Sequence, residues 1–124
     1  MRCIAELVRR ADDIPLLRLY VHGAPHRRQH TAVIERYRLE LLAAAKSAGI
    51  PTPIKHRVAL WALFVDPCSS DLDNLLMALF QAMDGKAHRK PTLLENDSLV
   101  TLVDRLAVFY PNEATNADRQ MRSA

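Results

Sequence analysis

The chain has 124 residues, of which 49% are hydrophobic and 25% are charged, and its formal net charge is +3. This length suits one domain, and the composition excludes a disordered chain. Two cysteines, Cys3 and Cys68, exclude a disulfide-stapled scaffold and any zinc site built from two CxxC pairs. The longest apolar stretch, Val58 to Val65, is far shorter than the roughly 20 residues of a membrane span. Because no export signal is visible either, we expect a soluble, cytoplasmic protein.

The N-terminal segment, residues 1–13, predicts a short helix that extends the main domain, because Ile4, Leu7 and Val8 recur at helical spacing. The next apolar run, Leu16 to Val21, is closed by a turn that contains Gly and Pro. Such a run followed by a turn predicts the first strand.

Two long helices and further strands are predicted after the first strand. Apolar residues at three- and four-residue spacing predict helices from Thr31 to Ala48 and from about Asp71 to about Asp84. Between them, the segment from Arg57 to Val65 is apolar on both alternating faces, which is typical of a strand covered on two sides. Leu99 to Tyr110 predicts another strand or strand pair. The polar tail, residues 111–124, is predicted to be disordered.

The order of these elements predicts the fold class. Helices alternate with strands in a chain too short for two domains, so we expect one small α+β domain. In it, two main helices pack on a mixed β-sheet, and residues 14–110 form the functional unit.

Two carboxylates, Asp71 and Asp73, lie where the buried strand gives way to the second long helix. The helix dipole favours negative charge there, and acids in a first turn are commonplace caps, so a purely structural role is one interpretation. The other is functional. Asp73 shares a helix face with Met77 and Gln81, away from the apolar stripe, so the acids are expected to face outward.

Further acids, Glu95 and Asp97, come just before the last strand. We expect them to converge with Asp71 and Asp73 at one end of the sheet, where the carboxylates would repel one another unless a cation held them. Oxygen ligands without paired Cys or His favour Mg²⁺, or Mn²⁺, over zinc. Such a site suits phosphodiester hydrolysis, since the metal activates water and offsets charge on the phosphate.

Two basic loops are the candidate contacts to nucleic acid. Arg27 and Arg28 follow the first strand, and Lys86, Arg89 and Lys90 follow the second helix. Basic loops are also common on ordinary solvated surfaces. We expect both loops to flank the carboxylate end of the sheet, where their charge would bind DNA phosphates.

Three short motifs point to a family. Residues 71–75 read Asp-Leu-Asp-Asn-Leu, and residues 96–100, after one helix and a loop, read Asn-Asp-Ser-Leu-Val. Upstream, residues 19–25 read Leu-Tyr-Val-His-Gly-Ala-Pro. Together they resemble the signature of the RusA-type Holliday-junction resolvases, over about residues 16–110. Met77 stands where family members usually carry lysine, and residues 68–70 stand where they often carry arginine.

The resemblance implies a homodimeric, Mg²⁺-dependent endonuclease that cuts branched DNA, the four-way junction, by paired nicks in recombination and repair. It implies that Asp71, Asp73 and Asp97 are catalytic and bind the metal. It implies neither a membrane nor a small-molecule cofactor. Glu95, next to the second motif in the sequence, is an auxiliary candidate of our own.

Two other functions stay open. Loss of the lysine at Met77 could leave a junction-binding homologue that cuts weakly or not at all. The third interpretation is a small α+β interaction domain whose acids are helix caps.

Overall fold

The computed structural model describes residues 1–26, 30–69 and 71–122. Within these ranges four strands form one sheet in the spatial order β1-β2-β3-β4. Strand β1 is antiparallel to β2, whereas β2, β3 and β4 are mutually parallel, so the predicted mixed sheet is confirmed. The strands are β1 Arg2–Val8, β2 Leu16–His22, β3 Val58–Val65 and β4 Val100–Phe109.

Two helices connect the parallel strands, as predicted. Helix α1, Thr31–Ser47, joins β2 to β3, and α2, Leu72–Met83, joins β3 to β4. They pack side by side over one face of the sheet and enclose the main hydrophobic core. A third helix, α3, Ala114–Arg122, covers part of the opposite face. No helix in the described ranges is long and apolar enough to cross a membrane.

The N-terminal segment is a strand, so the prediction of a short helix at residues 1–13 is wrong. Side chains of β1 alternate: Cys3 and Ala5 pack toward the core under α1, whereas Arg2, Ile4 and Glu6 are exposed. This two-residue period overlaps the helical spacing of a few apolar residues over so short a stretch. Pairing with the free edge of β2 decides between the two conformations.

The tail was predicted to be disordered over residues 111–124, and this prediction is wrong for residues 111–122, which are ordered; residues 123 and 124 lie outside the described residues. Residues 111–113 form one 3₁₀ turn, and α3 follows up to Arg122. Helix α3 buries only two side chains deeply, Ala117 and Met121, which are four residues apart and lie on one face. So small an apolar face needs a further anchor.

That anchor is the guanidinium of Arg18 in β2, a side chain that is only 1% exposed. Its Nη2 donates to the carbonyl oxygens of Gln120 and Met121, at 3.1 and 2.9 Å, in the last turn of α3. Its Nη1 contacts Glu6 of β1 at 2.8 Å, and its guanidinium lies 4.0 Å from the ring centroid of Trp61 in β3. The positive charge of Arg18 is favourable at the C-terminus of α3. Because Arg18 belongs to β2 and also contacts Glu6 of β1 and Trp61 of β3, it links α3 to three strands.

Replacing Arg18 is therefore expected to destabilise the protein. Arg18→Met keeps an apolar stem but leaves the α3 carbonyl groups without their charged donor, at an expected cost of roughly 2 to 3 kcal/mol. Urea unfolding followed by circular dichroism measures this free energy. The control is Arg119→Met, an exposed position on α3, for which we expect a change below about 0.5 kcal/mol. Equal effects of the two substitutions would contradict the anchor.

Candidate metal and nucleic-acid site

Asp71 lies at the start of α2, as predicted, and caps the helix. Its Oδ1 accepts the backbone N–H of Asp73 and its Oδ2 accepts the side-chain amide of Asn74, both at 3.1 Å. Its own N–H donates to the Ser69 hydroxyl at 3.1 Å. Asp71 therefore has the structural role that its position favours. A carboxylate has about four acceptor sites, so the cap does not use up its capacity to bind a cation.

The outward face of α2 is as predicted. Asp73, Met77 and Gln81 are exposed along one side, and the Met77 side chain is 45% exposed. Leu72 is 38% exposed at the beginning of the same helix. The helix thus presents a carboxylate at its N-terminal end and two large apolar side chains on its surface.

Asp97 lies at the other end of α2, so the expected convergence of the acids within one chain is wrong. Its backbone N–H donates to Oδ1 of Asp84, the C-cap of α2, at 3.2 Å. The 12 residues of the helix span about 18 Å, at about 1.5 Å per residue. Asp71 follows the carboxyl end of β3, and Asp97 precedes the amino end of the parallel strand β4. The two residues therefore lie at opposite ends of the parallel strands, which we call the Asp71 edge and the Asp97 edge of the sheet.

A single chain consequently does not gather the predicted metal ligands. In residues 1–26, 30–69 and 71–122, no three side chains of the types His, Cys, Asp and Glu lie close enough to hold a metal ion. Glu95 is exposed at the edge where Asp97 lies. The predicted carboxylates thus form two separate groups, Asp71 with Asp73 and Asp97 with Glu95.

The basic loop after α2 is folded tightly against the Asp97 segment. Asp84 Oδ1 also accepts the N–H of Lys86 at 3.0 Å, and the N–H of Gly85 donates to the Leu94 carbonyl at 2.9 Å. A Cβ atom at Gly85 would collide with the carbonyl of Glu95, so this approach requires glycine. Lys86 is exposed beside Asp97, because the backbone N–H groups of both residues donate to Asp84 Oδ1, and Arg89 is exposed farther along the same loop. The loop thus follows the C-terminal end of α2, at the edge opposite to Asp71.

Lys90 is held in an ion pair with α1. Its Nζ lies 3.2 Å from Glu35 Oε1, and Arg38 contacts both oxygens of the same carboxylate, at 2.6 and 3.0 Å. Arg38 is buried and also donates to the Pro91 carbonyl. Hydrogen bonds from Arg38 and, to a smaller extent, from Lys90 lower the pKa of Glu35 to about 2. Part of the Lys90 charge is thus neutralised within the protein.

Arg27 and Arg28, the other predicted contacts to DNA, lie outside the described residues. Their loop follows β2, and the residues on either side of it belong to the same sheet edge as Asp71. The N–H of Gly23 donates to the Val65 carbonyl, and the N–H of Cys68 donates to the Ala24 carbonyl.

Two groups of polar residues were not predicted. Lys55, His56 and Arg57 are exposed just before β3 and run beside the Asp97 segment. At the opposite edge, His22 Nε2 lies 3.9 Å from Asp66 Oδ2, and Asp66 has a positive φ of 46°. Both groups lie at strand ends, where parallel pairing brings together residues that are distant in sequence. The sequence would have indicated these two groups only if the relative directions of the strands had been known.

The ion pairs of Glu35 predict a pH dependence of stability. Because the pKa of Glu35 is lowered to about 2 in the folded state, its contribution is present above about pH 4.5 and is lost as the pH falls toward 2. We expect the free energy of unfolding to fall less over this interval in Glu35→Gln than in the wild type. Lys90→Gln, which leaves the Arg38 contacts intact, should lie between the two. Parallel pH profiles for all three proteins in urea unfolding would contradict this assignment.

No family model, curated protein or solved structure matches this chain at a significant level.

Proposed function

We propose that this protein is a Mg²⁺-dependent, structure-selective DNA endonuclease of the RusA type, which resolves four-way junctions by paired nicks. One observation carries the proposal. The two halves of the acidic motif bracket α2, with Asp71 and Asp73 at its N-terminal end and Asp97 beside its C-terminal end. The face between them is exposed and carries Met77.

This geometry makes dimerisation a requirement of the proposal. About 18 Å of helix separates the two acidic groups in one chain, so a metal site that uses all three aspartates needs Asp97 from a second protomer. A two-fold axis across the middle of α2 would set two such helices antiparallel. The N-terminal end of each would then lie beside the C-terminal end of the other, and two equivalent sites would form.

The surface of α2 is suited to this contact. Met77 is a large apolar side chain on the face between the two acidic groups and is 45% exposed, so covering it would remove apolar area from water. Antiparallel helices also place opposite ends of their dipoles together. The homodimer of the proposal therefore has a candidate interface of its own, centred near Met77.

The proposed ligands are oxygen donors, which Mg²⁺ prefers. Asp71 and Asp73 of one protomer would hold the metal together with Asp97 of the other, and Mn²⁺ could replace Mg²⁺. When bound, the metal lowers the pKa of water and offsets the charge of the scissile phosphate. The oxygens of Asp71 stay oriented because they accept hydrogen bonds from Asp73 and Asn74, while Lys86 beside Asp97 and Arg89 on the same loop would attract the DNA backbone.

A second candidate function is a junction-binding homologue that does not cut. It is favoured by Met77, which is exposed on the acidic face of α2 where the resemblance leads one to expect lysine. A cation at that position would lie one helical turn from Asp73. For both functions we propose the cytoplasm as the location, a reducing compartment that suits a chain whose Cys3 and Cys68 are not joined in a disulfide.

The variant Asp73→Asn tests the catalytic role. Asp73 is exposed, and the helix cap is Asp71, so the variant should fold normally. It should bind four-way junctions at least as tightly, since repulsion of phosphate falls. It should nick them in Mg²⁺ at least roughly 10- to 100-fold more slowly, the loss that follows when even an outer partner of a metal ligand is removed. Asp104→Asn, at an exposed position of β4, is the matched control. Gel assays of nicking and binding measure both properties.

Three results would decide between the candidates. Nicking that is slow in Asp73→Asn but not in Asp104→Asn supports the nuclease. A wild type that binds junctions above duplex but never nicks them supports the silent homologue. A wild type without preference for junctions contradicts both and leaves the acids as helix caps.

A further inference from the structure

The basic residues just before β3 run alongside the segment that contains Asp97. We propose that Lys55, His56 and Arg57, the basic strip, form a second DNA-backbone site that binds phosphates next to the Asp97 edge. This inference rests on the proposed function and names protein contacts for its substrate. The sequence motifs of the family resemblance do not include these residues.

Backbone pairing fixes the position of the basic strip. Ile54 pairs with Leu94 on one side of it, and Val58 pairs in parallel with Val100 on the other. Residues 55–57 therefore lie opposite residues 95–99, which include Asp97. The Ile54 carbonyl accepts the N–H of Glu95 at 3.0 Å, so the two segments are in direct contact.

The three side chains project from a supported backbone. Lys55, His56 and Arg57 are all exposed, although the residues on either side of them, Ile54 and Val58, are buried in the core. Arg57 Nε donates to the Thr101 hydroxyl at 3.4 Å, which aligns the stem of Arg57 with the beginning of β4. Its other guanidinium nitrogens can donate to a phosphate, the ligand for which this planar fork is best suited.

Charge explains why cations are needed at this edge. Asp84, Glu95 and Asp97 are gathered around the end of α2 and would repel a DNA strand. Leu94 pairs with Asp84 on one side and with Ile54 on the other, so the loop after α2, which carries Lys86 and Arg89, and the basic strip flank the acidic segment from opposite sides. Phosphates on both sides of the acidic group would thus meet positive charge, and the backbone would lie across Asp97.

The double variant Lys55→Gln with Arg57→Gln tests the site. Binding to a four-way junction and to a duplex is measured by fluorescence anisotropy over a series of salt concentrations, with EDTA present to prevent cleavage. Each lost phosphate contact reduces the slope of log K against log salt by about 1, so the double variant should lose about 2. The matched control, Arg119→Gln with Arg122→Gln, removes the same charge from α3 on the other face of the sheet. We expect the control to keep the wild-type slope.

The outcomes separate this inference from the proposed function. A smaller slope of log K against log salt in the Lys55 and Arg57 variant, but not in the control variant, supports the basic strip. Junction binding with an unchanged slope in that variant overturns the strip and leaves the nuclease proposal standing. Equal loss in the control variant also overturns it, because net charge alone would then account for binding. A wild type with no affinity for DNA overturns both proposals.

Discussion

Parallel pairing of β3 and β4 is the constraint on which the functional geometry depends. A chain that leaves the carboxyl end of one strand and enters the amino end of its parallel neighbour must cross the whole length of the sheet. Helix α2 makes this crossing, with Asp71 at its start and Asp97 just beyond its end. The acidic motif is thereby divided between two edges of one molecule. The basic strip lies at the Asp97 edge.

The opposite face of the sheet is held by a different interaction. Helix α3 has too few buried apolar side chains to pack by hydrophobic contact alone, and the buried Arg18 guanidinium supplies the missing contacts through the carbonyl groups of its last turn. Arg18 also joins Glu6 and Trp61, so the edge strand, the central sheet and the C-terminal helix depend on one side chain. One face is consequently covered by α1 and α2 and part of the other by α3, while the acids and the basic strip lie at the strand ends.

The sequence predicted those features that local patterns determine. Helix α2 and its cap Asp71 follow from an apolar stripe that begins just after an acid, and β3 follows from an apolar run bounded by breakers. Strand β1 could not be separated from a helix, since seven residues satisfy either period until β2 offers a partner. Helix α3 could not be predicted because its anchor, Arg18, is about a hundred residues away. All the acids were expected at one end of the sheet because the sequence does not reveal the direction of β4. An antiparallel β4 would have begun at the edge where Asp71 lies.

We propose that two protomers share each metal site, and a mixed dimer tests this arrangement directly. Asp73→Asn and Asp97→Asn chains carrying different tags are co-expressed, and the dimer that holds one of each is purified and assayed on four-way junctions in Mg²⁺. If the sites are shared, one site combines both substitutions and the other has all its wild-type aspartates. The mixed dimer should then nick at about half the wild-type rate, with single rather than paired cuts, while each pure variant stays inactive. A mixed dimer as inactive as the two pure variants would contradict the shared site.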